Sequence, residues 1–166
     1  MSFCAAAMVC TAFGQDVIQA KGTWYLGSAD ATELLGIFSE GVNVSPFVGY
    51  AIADNIAITV GINYGSLTTD AVGDVPESTM SSTEISLGAA YFFGDNFYGQ
   101  VGVSLGASSM TGTDDMSSTG IGVGVGKFIP VKDMWYLSPN IGYQTFTNDT
   151  GSAAGASIGI SLGARF

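Results

Sequence analysis

The chain contains no histidine. That removes the usual base from Ser-His and Cys-His nucleophile pairs and the commonest nitrogen ligand from any metal site. Asp70, Asp74 and Glu77, and separately Asp114 and Asp115, are weak calcium candidates, able to offer carboxylate oxygens. Neither group has EF-hand spacing, and each reads first as a solvated acidic loop. Gly120 to Gly126 reads Gly-Ile-Gly-Val-Gly-Val-Gly. It alternates strictly and matches neither the dinucleotide nor the P-loop pattern, so small residues on one face of a strand explain it better. The two cysteines, Cys4 and Cys10, both fall in the first fourteen residues. No catalytic residue, no metal and no cofactor is expected, and the protein is not read as an enzyme.

The elements that carry these residues must fit an unusual composition. Of 166 residues, 47% are hydrophobic and 11% charged, where a soluble domain carries about 25% charged. Mean hydropathy is +0.39, which argues against disorder. The 14 acids against 4 bases give a formal charge of -10, the wrong sign for a nucleic-acid partner. Yet no stretch of about 18 uninterrupted apolar residues exists, so a transmembrane helix is excluded. Residues 1–14 are apolar and small, ending Ala12-Phe13-Gly14 before the polar Gln15-Asp16, and read as an export signal cleaved after Gly14. The basic segment that should open such a signal is missing, so its true start is expected upstream. The mature chain, residues 15–166, would then hold no cysteine and no disulfide, and no lipid anchor is expected.

From Lys21 onward the dominant signal is a period of two, the mark of a strand with two unlike faces. In the last run Ala156, Ile158, Ile160, Leu162, Ala164 and Phe166 alternate with Ser157, Gly159, Ser161, Gly163 and Arg165. Such runs predict eight strands near 21–29, 41–52, 55–67, 84–93, 97–109, 118–129, 134–146 and 154–166. Short turns at 53–54, 94–96 and 130–133 alternate with longer polar stretches at 30–40, 68–83, 110–117 and 147–153. Strands of about 9–11 residues cross a bilayer when tilted, and a sheet in lipid must close because its edges cannot be left bare. The fold class is therefore all-β: an eight-stranded antiparallel up-and-down transmembrane barrel, with short periplasmic turns and longer extracellular loops. A lipocalin-like soluble barrel fits less well, because its outer face would be Gly, Ser, Asn, Gln and Thr almost without charge.

Charge and rings agree with that topology. Asp30, Glu33, Glu40, Asp70, Asp74, Glu77, Glu84, Asp114, Asp115 and Asp149 fall in or beside the long stretches. Lys21, Lys127, Lys132 and Arg165 fall at the opposite end. Outward Trp24, Tyr50, Tyr91, Phe93, Phe97, Trp135 and Phe166 form an aromatic girdle at the short-turn end, and Tyr64 and Tyr143 mark the other rim. Pro46 and Pro139 should each bring a bulge or irregularity, since proline removes a ladder hydrogen bond.

The closing run Ile160-Ser161-Leu162-Gly163-Ala164-Arg165-Phe166 resembles the C-terminal signal of bacterial outer-membrane proteins, and the chain from residue 15 onward is similar to the small eight-stranded barrels of OmpA, OmpX and OmpW type. The resemblance implies a bacterial outer-membrane location in a cell with two membranes. It implies lipid and lipopolysaccharide as surroundings. It also implies recognition of Ile160, Leu162, Ala164 and Phe166 by the barrel-assembly machinery. It does not extend to the barrel enzymes, whose sites rely on histidine.

Eight strands enclose a space just wide enough for side chains. Inward Tyr25, Phe92, Tyr98, Phe128 and Tyr136 fall near the short turns and are candidates for a plug in the lumen. Asn43, Ser45, Gly61, Asn63, Gly65, Ser86, Gly88, Ser104, Gly106, Gly120 and Gly122 would line a small polar cup toward the loops. The rings have two readings: padding over glycine backbone, or the floor of a ligand cup. Glu84 and Arg165, the charges left for the interior, lie toward opposite ends and are not expected to pair. Three functions stay open. The favoured one is a structural or interaction role in which the barrel anchors acidic surface loops. The second is a narrow pore or conduit for small solutes. The third is a barrel subunit of a larger envelope complex, packed against a partner protein through Gly99, Ala89, Ala107, Ala156 and Ala164.

Overall fold

The structure, a computed structural model, describes residues 19–32, 41–69, 77–112 and 115–166. The segment read as an export signal lies outside the described residues, as do Glu33, Glu40, Asp70, Asp74 and Asp114. Ten strands follow in order: β1 Trp24–Ser28, β2 Gly41–Val44, β3 Pro46–Ala53, β4 Ile56–Thr69, β5 Ser78–Phe93, β6 Phe97–Met110, β7 Met116–Lys127, β8 Ile129–Lys132, β9 Trp135–Asn148 and β10 Gly151–Arg165. Each pairs antiparallel with its neighbours, and β10 closes the ring by pairing both β9 and β1.

The ten strands make eight walls. β2 and β3 both pair with β4, and β7 and β8 both pair with β9, so each couple is one wall with an interruption. The first break is at Ser45-Pro46, as the missing proline N–H predicts. There the Ser45 hydroxyl accepts a hydrogen bond from the Asp30 N–H at 3.1 Å, and its carbonyl accepts one from the Ala29 N–H at 2.8 Å. The second break is at Phe128, whose N–H leaves the ladder and donates to the Asn96 carbonyl at 2.9 Å. At Pro139 the expected irregularity falls on one side only: β9 stays paired with Ile160 of β10, while its pairing to the other neighbouring wall skips Pro139 and Ser138, from Gly126–Asn140 to Ile129–Leu137.

Three of the four longer wall connections are shorter than the sequence suggests. β4 and β5 stay paired out to Thr69 and Ser78, and β6 and β7 leave only residues 111–115 between them. The stretch 147–153, expected as a loop, is a two-residue turn. Its cause is local: the Asn148 side-chain oxygen accepts hydrogen bonds from the Thr150 N–H at 3.0 Å, the Thr150 hydroxyl at 2.8 Å and the Gly151 N–H at 2.9 Å. At the other end the third short turn is Asp133–Met134, and Ile129–Lys132 is strand. Asn55, Asp95, Asn96 and Asp133 hold φ between 49° and 63° in these turns. Asn and Asp tolerate that left-handed region better than other residues with a Cβ.

Side chains alternate as the period of two demands. The outer face carries half-exposed or more exposed aliphatics, up to 84% for Ile158, 66% for Leu105 and 65% for Ile121. Exposed apolar side chains on every wall make a surface far beyond what water tolerates and suited to lipid. The buried core is inside the ring, built from Tyr25, Ala51, Ala57, Ala90, Phe92, Tyr98, Phe128 and Tyr136.

Candidate functional site

The lumen is where unusual side chains converge. Tyr25 comes from β1, Phe92 from the end of β5, Tyr98 from the start of β6, Phe128 from the break between β7 and β8, and Tyr136 from β9. The structure brings all five together beside the short turns. Phe128 is the hub: its ring centroid lies 4.2 Å from Tyr136, 5.2 Å from Phe92, 5.2 Å from Tyr98 and 5.8 Å from Tyr25. The Tyr136 contact is stacked and the other three are edge-on, the arrangements ring quadrupoles favour. The Tyr98 hydroxyl is hydrogen-bonded to the Ser138 hydroxyl at 2.9 Å.

Two of the rings lie directly on glycine. A Cβ on Gly126 would overlap the Tyr98 ring, and one on Gly163 would meet the Tyr136 hydroxyl at 2.5 Å. For Tyr98 and Tyr136, padding over bare backbone and packing into the ring cluster are thus one contact, whereas Phe92 and Phe128 meet no glycine. A sixth member escaped the sequence reading. Gln19, 2% exposed, accepts a hydrogen bond from the Tyr25 hydroxyl at 2.8 Å. It is pinned by its own N–H donating to the Asn55 side chain at 3.0 Å and by the Asn55 N–H donating to its carbonyl at 2.8 Å. Its amide nitrogen and the Tyr136 hydroxyl are buried without a hydrogen-bond partner. No strand period marks Gln19, because it precedes β1; only the tertiary fold places it there.

On the loop side of the floor is a cavity of about 340 Å³. Of the expected cup residues, Ser45, Gly61, Asn63, Ser86, Gly88, Ser104 and Gly122 line it, and Gly106 lines a smaller recess of about 160 Å³ above. Thr59, Gln100, Asn140, Gln144, Ser157 and Ser161 also line it. The cavity stays open because hydroxyls lie flat on glycines of the next wall. A Cβ on Gly61 would meet the Ser86 hydroxyl at 2.8 Å, one on Gly88 the Thr59 hydroxyl at 2.7 Å, and one on Gly120 the Ser104 hydroxyl at 2.5 Å. Glu84 is half-buried at the junction of cavity and recess.

The outward aromatics gather at the short-turn end. Trp24 and Tyr50 face each other across β1 and β3 with centroids 4.7 Å apart. Phe93 and Phe97 stack at 6.2 Å across the β5–β6 hairpin, and the Lys127 ammonium lies 4.5 Å from the Phe97 centroid. Tyr91, Trp135 and Phe166 are 41%, 51% and 60% exposed on the same face. Tyr64 lies eight residues along β4 from Ile56, which pairs with Tyr91, and Tyr143 lies eight along β9 from Trp135. Eight residues span about 26 Å of strand, or about 20 Å of height at a tilt of about 40°. That is close to the apolar band of about 25 Å between the two interfaces of an outer membrane.

The residues of the terminal run lie along β10 and just past it. Ile160 is exposed, Leu162 half-buried, and Ala164 is 4% exposed between its cross-strand partners Leu26 and Trp135. Phe166 exchanges two backbone hydrogen bonds with Trp24, at 3.0 and 3.1 Å, so the last residue ties the seam of the ring. Of the carboxylates weighed for calcium, Glu77 precedes β5 and Asp115 precedes β7. Among the described residues no group of three acids, cysteines or histidines is placed to hold a metal.

Comparison with known proteins adds a family. No curated protein matches the chain. Among solved structures it is similar to the N-terminal beta-barrel domain of Pseudomonas aeruginosa OprF, at 13% identity and a TM-score of 0.46 over 89% of this chain and 100% of that one. A family model described as the outer membrane protein beta-barrel domain matches residues 1–166. With that match over its whole length, the chain belongs to the outer membrane protein beta-barrel family.

Proposed function

We propose that this chain is an integral protein of the bacterial outer membrane that anchors acidic surface loops in a structural or interaction role, without conducting solutes and without catalysis. One observation carries the reading: Phe128 packs against four other buried rings and fills the lumen between the cup and the short turns. An unbroken aqueous path would need those rings to move. Family membership supports the location and the anchoring. The proposal extends to residues 1–14 as the export signal, to Ile160, Leu162, Ala164 and Phe166 as the run read by the barrel-assembly machinery, and to lipid and lipopolysaccharide as the surroundings.

The rival conduit reading draws on the cavity of about 340 Å³ above the floor. Single-channel recording in a planar bilayer decides between them, using protein whose folded state is verified by its heat-dependent gel mobility. The anchor reading expects silence from the wild type and channels only in the double variant Tyr98→Ala with Phe128→Ala. Reproducible steps from the wild type that grow in that variant would replace the anchor with a gated conduit.

A further inference from the structure

We propose that the cup above the aromatic floor binds a small organic ammonium ion, with the Glu84 carboxylate receiving its charged head. Glu84 is the one charged residue lining either the cavity of about 340 Å³ or the recess of about 160 Å³ above it. Among the described residues it has no cationic partner, and Ser104 lines the same cavity. A carboxylate drawn partly out of water gains most from a cation that also donates hydrogen bonds. Hydroxyls of Ser82, Ser86 and Ser118 and the Asn63 amide line the same space and offer further acceptors.

The charge count selects the class of ligand. One carboxylate balances one positive charge, whereas calcium takes six to eight oxygens and usually more than one carboxylate. A bare monovalent ion would leave most of the volume unused, and about 340 Å³ lies in the range of small-molecule pockets. Below Glu84 the bottom of the cavity is closed by the Tyr25, Phe92, Tyr98 and Phe128 rings with Ala57 and Ala90, so an apolar stem finds apolar surface there. The long-range field has the same sign. Among the described residues Asp30, Glu77, Asp115 and Asp149 stand at the loop end, while Lys21, Lys127, Lys132 and Arg165 lie at the far end, so the field favours cations at the mouth.

The test is a titration of isotope-labelled, folded protein in a non-ionic maltoside detergent with n-butylammonium, followed by amide chemical shifts, with n-butanol as the neutral control. Saturable shifts at Ser86, Gly88 and Gly102 are expected, absent with n-butanol. Glu84→Gln should weaken them about tenfold or more, and Glu84→Asp, which keeps the charge, should largely preserve them. Unsaturable shifts confined to the outer girdle, equal binding by Glu84→Gln, or tight displacement of the amine by calcium would each overturn the proposal. The inference rests on the floor being closed from below, and conductance recorded on the same samples keeps the two readings apart. Channels in the wild type would sink the closed floor, whereas loss of Glu84 dependence would sink the cation site.

Discussion

Glycine sets what each lumen residue can be. Gly163 and Gly155 share β10, yet their surroundings are opposite. A Cβ at Gly155 would meet nothing within 4 Å, whereas one at Gly163 would meet the Tyr136 hydroxyl at 2.5 Å and the Leu26 carbonyl at 2.8 Å. The ring can rotate away, but the carbonyl belongs to the neighbouring wall and cannot. Gly163→Ala is therefore expected to cost about 1–3 kcal/mol, as overpacking does, and Gly155→Ala to be neutral or slightly stabilising. The temperature at which each variant changes its gel mobility measures both. Equal behaviour would mean that Tyr136 does not rest on Gly163. The contrast could not be read from the sequence, where both glycines occupy inward positions of the same alternating run. Which glycine carries a ring depends on what the next wall brings to the same level.

At the scale of elements, stability and extent separate. The β9–β10 hairpin reaches well past Tyr143, and at its tip the Asn148 side chain gathers three hydrogen bonds. Asn148→Ala removes all three. Because the tip is exposed, the loss should stay local: faster hydrogen exchange at amides 150–155, with the heat-induced mobility change unmoved. A drop in that temperature would place the tip inside the cooperative unit. The same hairpin shows why the walls were legible and their ends were not. Between the girdle and the Tyr64–Tyr143 rim the apolar stripe repeats every second residue, and all eight walls follow from it. Beyond the rim, Ser78 to Thr83 and Gly65 to Thr69 are mainly small and polar on both faces, with Leu67 and Met80 as isolated exceptions, so strand and loop look alike in sequence. Hydrogen bonding between the walls continues there regardless. A strand in a closed ring has two neighbours, and the break at Pro139 falls on the one whose own chain turns inward at Phe128.

For the whole molecule, the ring, the girdle and the charge polarity all define one axis, and that axis can be measured. Trp24 and Trp135 are the only tryptophans in the chain, and both point outward at the short-turn end. Tryptophan fluorescence therefore reports the depth of that girdle alone. In bilayers carrying quenchers at defined depths, quenching should be strongest for labels near the headgroups and weak for labels at the chain ends, since indole rings settle at the interface. The cations support the same placement: the Lys127 ammonium lies on the Phe97 ring, where it can reach headgroup phosphates while its stem stays on apolar surface. If quenching were strongest at the bilayer centre, the girdle would lie about half a membrane too deep. The height of about 20 Å between girdle and rim would then no longer match the apolar band. A floor of rings at that depth would stand in the middle of the membrane rather than at its periplasmic face, and the cup above it would open outside the bilayer altogether. Quenching depth thus fixes where the floor, the cup and Glu84 stand relative to lipid.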